Sequence, residues 1–247
     1  MTMAFDRLVD EAWPATYVEN VGGWRLRFAD GVTKRANSVW PAAEPGGIDG
    51  AITAVEHFYA ERGLPAVFSL SAEARPEGLD GLLAARGYEI VDPTLIMTAE
   101  LPGEAVRDVE IADVPSAEWL DLWWLVDGRY GLGLGTATDI MTGVPAWYAS
   151  TGDAVGRGVP QGDWMGIYCM AVAPHARRRG LARNVLHALL GLGREHGARK
   201  AYLSVTAHNT AARALYASAG FEVAGGYHYR VRHRMAGGSG HRDVTPR

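Results

Sequence analysis

A single cysteine, Cys169, stands in 247 residues. An internal disulfide and a cysteine-based zinc site are thereby excluded, and no metal is expected. Nowhere do eighteen apolar residues follow one another, and no apolar run follows a basic segment near the N-terminus. A membrane span and a secretory signal are not expected, and the cytoplasm is the expected compartment. Two common phosphate-loop patterns are also missing, since no Gly-Lys-Ser/Thr closes a P-loop and no G-x-G-x-x-G opens a dinucleotide fold. A net charge of −4 with no long basic face argues against nucleic acid as a partner, despite Arg177 to Arg179 and the basic stretch Tyr229-Arg-Val-Arg-His-Arg234.

What is present is a phosphate cradle of another kind. Met170-Ala-Val-Ala-Pro-His-Ala-Arg177-Arg-Arg-Gly180-Leu-Ala182 reads as an apolar strand that breaks at proline and turns into an amphipathic helix. Small residues at Gly180 and Ala182 let backbone approach a ligand. The free N–H groups of the first helical turn point outward with the positive end of the helix dipole behind them. Arg177, Arg178, Arg179 and Arg183 add charge at the same place. Downstream, the helix continues through Glu195, Lys200 to Thr206 alternates like a strand, and Asn209-Thr-Ala-Ala-Arg-Ala-Leu-Tyr216-Ala-Ser-Ala-Gly220-Phe221 forms a second helix closed by glycine.

The first segment resembles motif A of the GNAT acyltransferases, Arg/Gln-x-x-Gly-x-Gly/Ala after Val-x-Pro. The second resembles their motif B. The resemblance implies a mixed, mostly antiparallel twisted sheet flanked by helices, α/β (α+β) in class, and an acetyl-CoA-dependent N-acetyltransferase in which an acceptor amine attacks the thioester directly. It further implies that Met170 and Val172, with Ala171 between them, offer backbone partners to the pantetheine arm. Arg177 to Arg183, including Leu181 and chiefly Arg179, Gly180 and Ala182, would hold the pyrophosphate. Asn209 would bond the pantetheine or order a water, and Tyr216 would protonate the leaving thiolate. Some members place a glutamate base where this chain has Gly166. The base is then Asp163 through a water, His208, His228, or a water chain. Cys169, a small residue inside an apolar strand, is not expected to act as a nucleophile.

Charge divides the chain, with 8 basic against 16 acidic residues in positions 1–105 and 16 against 12 in positions 106–247. A junction is expected at Glu100-Leu-Pro-Gly-Glu-Ala105, giving modules 1–104 and 105–235 and a flexible tail 236–247. The first module reads as a weak repeat of the second: Ala66 to Ser71 lies beside Lys200 to Val205, and Gly78 to Tyr88 beside Ala211 to Phe221, with one extra residue in the later copy. The first copy has Ala-Ala-Glu-Pro-Gly-Gly after Val39-Trp-Pro41 in place of the arginines, and Pro76 and Leu83 face Asn209 and Tyr216. Expected, then, is a tandem of a degenerate GNAT-like domain and a complete one, each with its own sheet. Its removal is expected to cost solubility or substrate binding more than cofactor binding. The phrases Gly-Gly-Trp-x-Leu-Arg and Thr33-x-Arg35-Ala-Asn37-Ser38 also resemble a group of actinobacterial-type GNAT proteins.

The acceptor is expected to be a small-molecule or peptide amine, taken by a monomer or homodimer. Its site is expected around Trp119, Trp123 and Trp124 and the glycine-rich stretch Tyr130 to Asp139, read as a mobile lid, with Asp127 and Asp139 available to a cationic substrate. A non-catalytic acyl-CoA-binding or regulatory module is the other reading that these motifs permit.

Overall fold

The computed structural model describes residues 5–101, 109–128 and 133–232. The junction at 104/105, residues 130–132 of the glycine-rich stretch and the tail 236–247 lie outside the described residues. Strands β1 (Tyr17–Val21), β2 (Trp24–Phe28), β3 (Val39–Pro41), β4 (Ala66–Ser71) and β5 (Glu89–Glu100) come from the first half of the chain. Strands β6 (Glu110–Ala112), β7 (Trp147–Ser150), β8 (Ala154–Gln161), β9 (Trp164–Val172), β10 (Lys200–Thr206) and β11 (Glu222–Arg232) come from the second.

All eleven strands share one sheet in the order β1-β2-β3-β4-β11-β5-β10-β9-β8-β7-β6. The expected pair of separate sheets is therefore corrected to a single continuous one. The reason is an exchange: β5 lies beside β10, where the second half needs its last strand, and β11 lies beside β4, where the first half needs its own. Towards the centre the pairings run antiparallel, antiparallel, parallel, antiparallel in both halves, β1 through β4 to β11 and β7 through β10 to β5, with β6 added antiparallel outside β7. Antiparallel pairing of β5 with β11 then joins them.

Alternation along the strands gives each face its own core. On one face, helices α1 (Phe5–Ala12), α4 (Ala117–Asp127) and α5 (Leu134–Thr142) cover Val67, Ile96, Val155, Tyr168, Tyr202 and Tyr229, in a core continuous across both halves. On the other face, α6 (Leu181–Glu195) and α7 (Thr210–Ser218) cover Met165, Ile167 and Leu203. There α2 (Ile48–Glu61) and α3 (Leu79–Ala85) cover Trp24, Phe68 and Leu70. Helix α6 is held by its apolar stripe: Val185, Leu186, Leu189 and Leu190 recur at helical spacing and are buried, each contributing roughly 1.5–3 kcal/mol. Among the described residues no helix is long and apolar enough to cross a membrane.

Because β5 is paired on both sides, deleting residues 1–104 takes a strand out of the middle of the sheet. The expected result is loss of the fold itself: a fragment of residues 105–235 should show no cooperative urea transition by circular dichroism. A sigmoidal transition comparable to that of the whole chain would show that the second half closes without β5.

Candidate functional site

Strand β9 carries the feature that opens the site. It pairs in parallel with β10 from Trp164↔Lys200 to Ile167↔Leu203, and the pairing stops there. On its other side the register with β8 slips, so that Tyr168 to Ala171 spans three steps while Arg157 to Val155 spans two. Cys169, at φ 53°, is the extra residue of this bulge. A bulge bends its strand and steepens the twist, which turns β9 away from β10 and leaves the β10-facing backbone edge of Met170, Ala171 and Val172 unpaired. Sequence alone did not show the bulge, since Tyr168 to Val172 reads as an unbroken apolar run.

Beyond β9 the chain makes one 3-10 turn, Pro174–Ala176, and passes through Arg177, Arg178 and Arg179 to α6. Arg178 and Gly180 both adopt positive φ, 60° and 83°. Gly180 is the N-cap of α6, no side chain caps the helix, and its first turn has no acidic residue. The first backbone bond runs from Asn184 N–H to Gly180 C=O, leaving the N–H groups of Leu181, Ala182 and Arg183 outside the helical ladder. A Cβ built on Gly180 meets nothing within 4 Å, so what demands glycine here is the backbone angle and not the space.

A cavity of about 660 Å³ lies between this turn and α7. It is lined by Met170, Ala171, Val172, Arg177, Arg178, Gly180, Leu181, Ala182, Arg183, Asn209 and Tyr216, that is, by every residue singled out in the sequence for cofactor or acid duty except Arg179. Arg179 instead reaches Asp153 at 3.9 Å. No acidic residue is among the described lining residues. The chemistry of the wall suits a long anionic ligand: open N–H donors and arginines at one end, an unpaired strand edge along the side, and apolar Ala212 and Leu215 between.

Asn209 is the N-cap of α7, its Oδ1 accepting from Ala212 N–H at 3.1 Å. One end of its amide is thus committed to the helix. Tyr216, on the same helix, is buried with its ring 6.0 Å from Phe221. Burial pushes its phenol up to about 12. At neutral pH the group is a proton donor, never an acceptor by ionisation.

The positions considered for a base separate clearly. Asp163 sits at the start of β9, seven residues before Met170 and so roughly 23 Å along the strand. His228 is bonded to Asp80 at 2.7 Å, between β11 and α3. His208 stands beside Thr206, its Nε2 3.5 Å from the hydroxyl. Gly166 is glycine for want of room: a Cβ there would lie 2.7 Å from the Tyr168 ring and 2.8 Å from the Tyr202 hydroxyl. Those two tyrosines bond each other at 2.8 Å, and Tyr202 is also 2.6 Å from Gln161 Oε1, so aromatic rings fill the place a carboxylate would need.

Cys169 sits with its sulfur 3.5 Å from Met141 Sδ, and burial pushes its thiol up to about 12. An activated thiolate is a poor description of this group. Native Cys169 is expected to react with iodoacetamide only above about pH 10, whereas a free cysteine titrates near 8.5. Intact mass after incubation with acetyl-CoA alone should be unchanged. An acetylated Cys169 would point to a ping-pong route instead.

In the expected acceptor region, Trp119 and Trp123 share the buried face of α4, and Trp124 is turned partly out. Trp119 donates to Ala149 C=O at 3.0 Å. Asp139 lies on α5, which packs as an ordinary core helix through Ala137, Ile140 and Met141.

The family described as "Probable histone acetyltransferase Rv0428c C-terminal" matches residues 4–233. The Bacillus subtilis protein described as an uncharacterized N-acetyltransferase, YobR, is 31% identical over 241 residues, covering 92% of this chain and 97% of its own. The probable histone acetyltransferase Rv0428c of Mycobacterium tuberculosis is 30% identical over 239 residues, covering 94% of this chain and 73% of its own. Among solved structures, a GCN5-related N-acetyltransferase from Kribbella flavida superposes with TM-score 0.65 at 18% identity, over 94% of this chain and 96% of that one. A tandem GNAT protein from the clavulanic acid pathway gives 0.58 at 12% identity over 92% and 86%. At such identities the two structures speak for the fold alone.

Proposed function

The chain belongs to the GNAT family of N-acetyltransferases, and from that premise we propose that it transfers an acetyl group from acetyl-CoA to a primary amine by direct attack in a ternary complex. The observation that carries the proposal is the cavity between the Arg177–Arg183 turn and α7, which joins open helix N–H groups, three arginines, an unpaired strand edge and a neutral phenol without one acidic residue among its described lining. Acetyl-CoA would supply the activated acyl group. The backbone of Arg178 to Arg183 would hold its pyrophosphate, with Arg177 and Arg183 as counter-charges, and the edge from Met170 to Val172 would align the pantetheine.

Bond making and breaking then balance simply. The amine nitrogen bonds the carbonyl carbon, the C–S bond breaks, and the departing thiolate takes the proton that Tyr216 holds. The proton lost by the amine leaves through water.

The two halves of the sheet have the same sequence of pairings, which supports a tandem reading in which the first half has a scaffold without cofactor chemistry. Its counterpart of the arginine turn is Ala42 to Gly47 before α2, with Glu44 in the turn and Asp49 in the helix's first turn, where an anion would be repelled. Leu83, at the place of Tyr216, is fully buried in the first half's core. We place the enzyme in the cytoplasm as a monomer or homodimer, acting on a small or peptide amine, with no nucleic acid or membrane partner. The test is amine-dependent release of CoA thiol. No release with any amine while acetyl-CoA still binds would favour the acyl-CoA-binding or regulatory module.

A further inference from the structure

A second cavity, of about 150 Å³, lies on the face of the sheet that carries α1 and α4. Its walls come from both halves of the chain: Trp13 and Arg35 from the first, Trp123, Cys169 and Ser204 from the second, and Tyr227 from the exchanged strand β11. It adjoins the cofactor cavity through consecutive residues, since Cys169 lines one and Met170 the other, and Asp127 lines one and Val126 the other.

The polar atoms of this cavity are unusual in being unanswered. The Trp123 indole N–H and Arg35 Nε are buried and have no hydrogen-bond partner among the described residues. Both groups can only donate. Arg35 has no carboxylate partner among the described residues. It lies 5.6 Å from the centre of the Trp13 ring and 5.5 Å from that of Tyr168, and its hydrogen bond to the Tyr227 hydroxyl is a long one, 3.5 Å. Arg157, fully buried on β8, lies 5.8 and 5.7 Å from the same two rings and also has no carboxylate partner among the described residues. Burial by itself would push the Tyr227 phenol up, yet the charge and hydrogen bond of Arg35, together with hydrogen bonds to Tyr229 and Ser204, bring the phenol below its ordinary value. The remaining lining charges are Lys34 and Asp92, which pair with each other at 2.9 Å, and Asp127.

The chain spends structure to put Arg35 there. Asn37, buried two residues on, accepts from Ala29 and Gly31 N–H and donates to the carbonyls of Ala29, Val32 and Thr33. These bonds hold Asp30 and Thr33 at positive φ, 49° and 64°, angles that a β-branched threonine adopts only when over-determined. Thr33 in turn accepts from the Trp13 indole at 3.1 Å. The phrase Thr33-x-Arg35-Ala-Asn37-Ser38 thus builds a loop whose outcome is a guanidinium facing the second cavity.

Resting on the acyltransferase reading above, we infer that this cavity takes the acceptor and that the acceptor is a small amine carrying a carboxylate, of amino-acid size, with the carboxylate held by Arg35 and the Trp123 N–H. A carboxylate answers such donors most strongly, because its bonds to a guanidinium are charge-assisted and can be bidentate.

The test compares matched pairs on the full-length protein saturated with acetyl-CoA: L-leucine with isopentylamine, L-phenylalanine with phenethylamine, L-lysine with cadaverine. Binding is read from quenching of tryptophan fluorescence and turnover from CoA release. In at least one pair the carboxylate is expected to bind tenfold or more tightly than its decarboxylated partner. Arg35→Gln should reduce that gap below twofold while acetyl-CoA affinity, measured by calorimetry, stays within twofold of wild type. Arg35→Lys, which keeps the charge, should retain part of the gap and guards against a Gln variant that misfolds. Equal binding within every pair, or no binding of any member while acetyl-CoA binds, overturns the carboxylate assignment and leaves the acyltransferase standing. Failure of acetyl-CoA itself to bind overturns the reading beneath it.

Discussion

A Gly180→Glu protein is expected to lose acetyl-CoA affinity by at least a hundredfold while remaining folded. Two effects add at this position. The residue holds φ 83°, which an L side chain adopts at a cost of about 1–2 kcal/mol. Its Cβ would point into open space at the head of α6, within the lining of the larger cavity, so the glutamate's charge would stand where the pyrophosphate is proposed to sit. Gly180→Ala separates the two. It bears the same backbone strain, with a melting temperature lower by a few degrees for a chain of this size, but introduces no charge. Affinity that falls far more in the glutamate variant than in the alanine variant locates the anion at this turn. An equal fall in both would mean that loop geometry alone is at stake.

Tyr216→Phe should lower kcat by about a hundredfold, near the lower end of what a positioned general acid contributes, with acetyl-CoA affinity unchanged within twofold. Its hydroxyl has no hydrogen-bond partner among the described residues, so the variant should fold as the wild type does. The pH dependence is distinctive because burial pushes the phenol up to about 12. As an acid it stays protonated across the whole assay range, and no loss of rate below about pH 11 should trace to it. The same shift bears on stability. A group whose folded pKa lies above its unfolded value of about 10 contributes its full share below pH 10, and that share is lost as pH rises from 10 towards 12. Phenylalanine removes this dependence, so Tyr216→Phe should gain stability relative to wild type as pH rises above about 10. A basic limb near pH 9 that disappears in the variant would contradict the assignment.

Much of the site was legible because its chemistry is local. Arg177-x-x-Gly180-x-Ala182 fixes a turn and a helix start by neighbouring residues alone, and the structure gathers Met170 to Val172, Asn209 and Tyr216 around that start. The matching order of pairings in the two halves of the sheet agrees with the alignment of Ala66–Ser71 with Lys200–Val205. The single sheet was not, because β5 and β11 have the same alternation whichever half they complete; strand partners are chosen by tertiary contact. Nor was the bulge at Cys169, where the chain departs from regular pairing without a glycine or proline to mark it. Gly166 reads in sequence as a missing base, and in the structure as space already filled by Tyr168 and Tyr202. Arg35 was visible as part of a phrase, but its meaning depends on Trp123 and Tyr227, which lie 88 and 192 residues away along the chain.

The central claim is one cofactor site in the second half of a chain whose first half shares the sheet but not the chemistry. Calorimetric titration of acetyl-CoA into the wild-type protein tests it most directly. The account predicts saturable binding of one molecule per chain; no binding, or two equivalent sites per chain, would contradict it.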